Sequence, residues 1–144
     1  MVRGFIPIVI AASLALTSCS PKSIPAGACL ADSRLAFWLG DTTRWFFVKT
    51  TARPWSVTVY EVSVGPAWET RVPYDLVEDW SHTYQPKRGL IVYGAVYPGW
   101  ELPTKAQTLK PGRKYFVEIW TDGGRALFDL VPGSPMPQCS RSMS

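Results

Sequence analysis

Between Leu109 and Leu130 the order of residues dictates turn, strand, tight turn and strand in succession. Pro111-Gly112 makes the first turn. After it, Tyr115, Val117 and Ile119 share one face of a strand, with Phe116, Glu118 and Trp120 on the other, because side chains alternate along extended chain. Asp122-Gly123-Gly124 supplies residues that accept the positive φ of a tight hairpin. A second strand then returns with Ala126, Phe128 and Leu130 facing one way. A chain containing this block needs a second apolar layer to cover the face that carries Tyr115 and Val117.

The residues upstream supply it. Leu35 to Leu39 reads as a short apolar strand, with Gly40-Asp41 as a turn, and Trp45 to Thr50 as the next strand, broken by Ala52-Arg53-Pro54. Ser56 to Val64 is the clearest case: Val57 and Val59 face one way, Tyr60, Val62 and Val64 the other, and Gly65-Pro66 stops it. Trp68 to Val72 is expected as a short edge strand bounded by Pro73, and Tyr74 to Trp80 as one or two helical turns. Leu90 to Tyr97 is apolar on both faces and is expected to be a central strand. Pro98-Gly99 turns the chain again, and Glu101 to Thr108 leads into the corner. Seven or eight antiparallel strands at this spacing predict an all-β, two-sheet sandwich.

The block from Leu109 to Leu130 resembles the E–F corner and F–G hairpin of fibronectin type III and related immunoglobulin-like domains. In that resemblance Tyr115 is the tyrosine-corner residue, turned by Leu109, Pro111 and Gly112, with its hydroxyl bonded to backbone a few residues upstream. The resemblance implies an immunoglobulin-like fold, and a fold does not carry function with it.

The N-terminus says where such a domain would reside. Arg3 precedes an apolar run from Phe5 to Leu16, too short to span a bilayer comfortably. The run ends in Leu16-Thr17-Ser18-Cys19, which resembles the lipobox of bacterial lipoproteins. That resemblance implies a signal peptide over 1–18 and a diacylglycerol acceptor at Cys19. Ser20 stands where some bacteria place an aspartate that retains lipoproteins in the inner membrane, so the expected site is the outer membrane, facing the periplasm. An ordinary secretory peptide cleaved elsewhere is the alternative reading. Removal of the first 18 of 144 residues leaves 126, enough for one domain with its own core. Residues 19–28, with Pro21, Pro25 and Gly27, read as a tether that extends at most ~35 Å.

Loss of Arg3 takes the formal charge from +4 to +3. The basic residues are scattered, which argues against a nucleic-acid partner. Cys29 and Cys139 form an even pair in an exported chain and are expected to be joined, closing a loop of about 110 residues over a domain spanning 29–139, with 140–144 as a tail. Two free thiols or a metal pair is the alternative, although no histidine or further cysteine completes a zinc set.

Catalytic signals are poor. The only histidine, His82, follows Asp75, Glu78 and Asp79 in the densest acidic patch. Helical spacing would put Glu78 and His82 one turn apart, but acidic residues and a histidine in one loop are ordinary solvated surface, and no metal or cofactor is expected. Ser81 beside His82 makes no triad. The tryptophans carry more information. Trp38, Trp45 and Trp120 fall within strands and read as core or sheet-face residues, whereas Trp55, Trp68, Trp80 and Trp100 fall at strand ends or in loops. Indoles of the second kind suit protein interfaces and sugar rings, and they equally suit capping the ends of a small sandwich. The expected function is a non-catalytic envelope lipoprotein that binds a protein or glycan partner at the membrane surface. The second reading is an inhibitor or immunity lipoprotein directed at an envelope-degrading enzyme such as a lysozyme. The tail from Tyr115 to Cys139 is similar in outline to C-type lysozyme inhibitors, but Pro111 stands where their inhibitory segment begins with serine.

Overall fold

A computed structural model describes residues 21–44, 48–78 and 83–139. Strands β1 (Ala26–Ala31), β2 (Arg34–Leu39) and β7 (Leu90–Val92) form a three-stranded sheet in the order β1-β2-β7. Strands β5 (Pro54–Glu61), β6 (Gly65–Arg71), β8 (Glu101–Thr104), β9 (Tyr115–Thr121) and β10 (Gly124–Leu130) form a second in the order β10-β9-β5-β6-β8. Strands β3 (Asp41–Arg44) and β4 (Val48–Thr51) pair only with each other. All strand pairs within the sheets are antiparallel. The fold is an all-β sandwich of the immunoglobulin-like, fibronectin III-like kind.

Alternation builds the core. The register Val59↔Val117 and Val57↔Ile119, continued by Phe128↔Val117 and Ala126↔Ile119, puts these side chains on one face. They meet Phe37, Leu39 and Ile91 of the other sheet, all buried. Phe37 and Phe128 touch edge to face across the layers at 5.7 Å. Tyr115 is 1% exposed, and its hydroxyl accepts a hydrogen bond of 3.0 Å from the backbone N–H of Lys110. Leaving that donor unpaired would cost about 1–3 kcal/mol, so the ring and its hydroxyl together fix the corner. Leu109 packs half-buried against the core, while Pro111 and Gly112 are exposed, with Gly112 at φ 75° and its N–H bonded to the Pro132 carbonyl.

Several sequence expectations are corrected. The apolar run at Leu90 pairs only through Val92 and lies at a sheet edge, not centrally. Gly94, at φ 76°, turns the chain away, and the Tyr97 hydroxyl folds back to accept the Val92 N–H at 2.9 Å. The apolar residues after Val92 therefore wrap over the sandwich instead of extending it. The strand at Trp68 is interior, flanked by β5 and β8, because Gly65-Pro66 starts that strand and the turn lies earlier, at Val62 to Val64. Ser63 takes the positive φ there. The helical turn is a short 3-10 segment, Tyr74–Leu76, and residues 79–82 lie outside the described set.

The tether expected over 19–28 is docked chain from Lys22 onward. Arg125 donates its N–H to the Lys22 carbonyl and accepts from the Ile24 N–H, so Ser23 runs parallel to β10. Ile24 is buried, and β1 begins at Ala26. Gly124 permits this approach: it sits at φ 144°, and a Cβ there would strike the Lys22 carbonyl. The apolar Ile24, hidden between two prolines, is the residue that turns linker into strand.

Candidate functional site

The outward face of the five-stranded sheet gathers four half-buried aromatic side chains, Trp55, Tyr60, Phe116 and Trp120. Parity places it: Phe116, Glu118 and Trp120 alternate with the core residues of β9, and their partners are Asp129, Leu127 and Arg125 on β10 and Tyr60, Thr58 and Ser56 on β5. Two aromatic rows cross the strands. In one, the Arg125 guanidinium lies 5.2 Å from the Trp120 ring centre, and Trp120 in turn lies 6.0 Å from Trp55. Trp55 donates its indole N–H to the Thr121 carbonyl at 3.3 Å, and Trp120 donates to the Glu118 carboxylate. In the other row Tyr60 and Phe116 stack at 4.8 Å. Thr58 lies between the rows and Ser56 stands opposite Trp120, at 7% and 8% exposure.

Charge is uneven on this face. Glu69, Glu101, Glu118 and Asp129 outnumber Arg71 and Arg125, although the chain as a whole is basic. Arg71 bonds Glu101 at 3.0 Å and approaches Glu69 at 3.6 Å, so its guanidinium is committed. The five strands contain no lysine at all. Aromatic side chains with arginine and without lysine are enriched at the centre of protein interfaces, and the four carboxylates of this face depart from that composition.

Of the four tryptophans expected to form a binding surface, Trp55 alone lies on this face. Trp68 is fully buried, because its register opposite Val59 turns it inward, and it meets Tyr93 edge to face at 5.1 Å. Trp100 is 9% exposed, packed on Tyr97 and bonded through its indole N–H to the Tyr84 carbonyl. Trp80 lies outside the described residues, as does Cys19. Trp120, read from sequence as core or sheet face, is on the face beside Trp55. Its period-two parity with Tyr115 gives its side; what local reading misses is Arg125, which reaches Trp120 only through the hairpin register.

Cys29 and Cys139 are disulfide-bonded, with Cα atoms 5.0 Å apart. The tail is seated beside β1 by hydrogen bonds from the Leu30 N–H to the Pro137 carbonyl and from the Cys139 N–H to the Leu30 carbonyl, both 2.9 Å. Among the described residues no three His, Cys, Asp or Glu side chains gather as metal ligands; His82 and Asp79 lie outside that set. No family model, curated protein or solved structure matches the chain, so the functional reading rests on this face and its chemistry.

Proposed function

We propose that the chain is a non-catalytic envelope lipoprotein, anchored through Cys19 in the outer membrane, and that it binds a protein partner through the outward face of its five-stranded sheet. The observation that carries the reading is the lysine-free face with Trp55, Trp120, Tyr60 and Phe116 in two rows and arginines at its margins. A protein is favoured over a glycan because Arg125 and Trp55 already flank the Trp120 indole, leaving ring edges instead of an open stacking platform. The docking of Lys22 on β10 supports the placement. Only three residues, Cys19 to Pro21, separate a lipid at Cys19 from the folded domain, a reach of about 10 Å. The pole with the β9–β10 turn then lies beside the membrane, and the aromatic face stands to the side, open to a neighbour on the same surface.

A photo-crosslinking residue at Leu127, which is 50% exposed, tests this in intact cells against the same residue at Val96, which is 73% exposed on the loop after β7. The expected outcome is one discrete protein adduct from position 127 alone, lost when Trp55→Ala and Arg125→Glu are combined. Retention of the protein on isolated cell-wall glycan, with no protein adduct, would overturn the choice of partner. An adduct formed only with an added foreign hydrolase would support the inhibitor reading instead.

A further inference from the structure

Beyond Arg125, one side of β10 is open. In an antiparallel pair the backbone N–H and C=O groups of successive residues point alternately toward and away from the neighbouring strand. Those of Arg125 point away from β9, to the Lys22 carbonyl and the Ile24 N–H. Leu127 and Asp129, two and four residues further on, direct theirs to the same side. There the N-terminal segment has already left β10, since the Pro25 carbonyl accepts from the Gly40 N–H and β1 pairs with β2. Among the described residues no backbone group meets the N–H or C=O of Leu127 or Asp129. This stretch has neither a proline nor a bulge to turn another chain away.

A groove of about 430 Å³ runs beside the same stretch, lined by Leu127, Phe128 and Asp129 of β10 with Val62 and Phe116. Val62 and Leu127 are each about half exposed. Asp129 is exposed and makes no hydrogen bond or ion pair among the described residues. The other charges of this face are engaged: Arg71 with Glu101 and Glu69, Arg125 with the Trp120 ring, and Glu118 with the Trp120 indole N–H. One free carboxylate therefore stands at an apolar groove, on a face where acidic groups outnumber basic ones. Such a place complements a cationic side chain with an apolar stem.

We propose that an extended segment of the partner protein adds to the open edge of β10, its main chain bonded to Leu127 and Asp129, and lays an arginine or lysine side chain in this groove. The stem packs on Val62, Phe116 and Leu127, and the cationic head pairs with Asp129. Backbone bonds along the edge supply affinity, and the groove selects the basic residue. This inference rests on the reading that the partner is a protein, and it names the chemistry of the segment that docks.

The test places the photo-crosslinking residue at Val62 of the full lipidated protein in intact cells and maps the adduct by mass spectrometry. The expected adduct is with the same protein that position 127 captures, on a peptide whose crosslinked residue lies beside a lysine or arginine. Asp129→Lys, at an exposed position, should lower the yield several-fold with an unchanged melting temperature, and reversing the charge of the mapped partner residue should restore it. Leu127→Pro removes an N–H that β9 does not use and should abolish the adduct in protein that keeps its circular dichroism spectrum. An adduct at position 127 that survives both Asp129→Lys and Leu127→Pro would overturn the strand addition and leave the protein-partner reading standing. So would an adduct on a segment without a basic residue, or one with a second copy of this chain. No protein adduct from either position would overturn the protein-partner reading itself.

Discussion

Replacing Cys139 by alanine should lower the free energy of unfolding by about 4–5 kcal/mol, because the cross-link closes a loop of 110 residues and so constrains the unfolded chain strongly. A domain of this size has about 5–15 kcal/mol in all, so the variant should be folded but marginal at 37 °C. Cys29 is fully buried, and its thiol left alone behaves as a small apolar side chain; alanine at position 139 therefore reports the loop alone. Cys29→Ser should cost more, since it adds an unpaired hydroxyl to the interior. Urea unfolding of the oxidised protein, the reduced protein and Cys139→Ala checks this. The slope should also rise in the two uncross-linked forms, whose unfolded chains expose more surface. A loss below about 1 kcal/mol would mean that the unfolded chain is already compact enough for the cross-link to constrain it little.

Trp68→Ala should cost about 3–5 kcal/mol, the range for emptying a fully buried aromatic site. Trp68 lies on β6, between β5 and β8 and against Tyr93, so the backbone has little freedom to collapse into the cavity. Trp55→Ala removes a half-buried indole and should cost about 1–2 kcal/mol. The two variants should separate cleanly in function. Trp68→Ala should unfold early and, when folded, keep its partner; Trp55→Ala should stay folded and weaken partner capture. Thermal melts with the crosslinking readout check both, and equal stability losses would mean that the facing of β5 and β6 is misassigned.

The contrast between these tryptophans shows what could be read in advance. Where a strand alternates strictly, as from Tyr115 to Trp120, the sequence determines both strand and facing, because each apolar residue is followed by one that can meet solvent. The corner was equally legible, since Pro111-Gly112 and Tyr115 act within a few residues of one another. Trp68 was not, because its facing comes from a register with Val59 that starts at a turn three residues earlier than Gly65-Pro66 suggests. Leu90 to Tyr97 misled for a related reason: apolar residues can bury themselves in a loop folded over an edge as well as in a central strand, and composition does not distinguish the two. Ile24 escapes a local reading because two prolines and a glycine look like linker, while its burial depends on β10, a hundred residues away in the chain.

The proposed lipid anchor at Cys19 sets tether length, pole and partner geometry together. Cells expressing the wild-type chain or Cys19→Ala, fed an alkyne-bearing palmitate and fractionated, test it directly. The wild-type protein should be labelled and sediment with the outer membrane, and Cys19→Ala should be unlabelled and unprocessed. Wild-type protein recovered unlabelled from the soluble periplasm would contradict it.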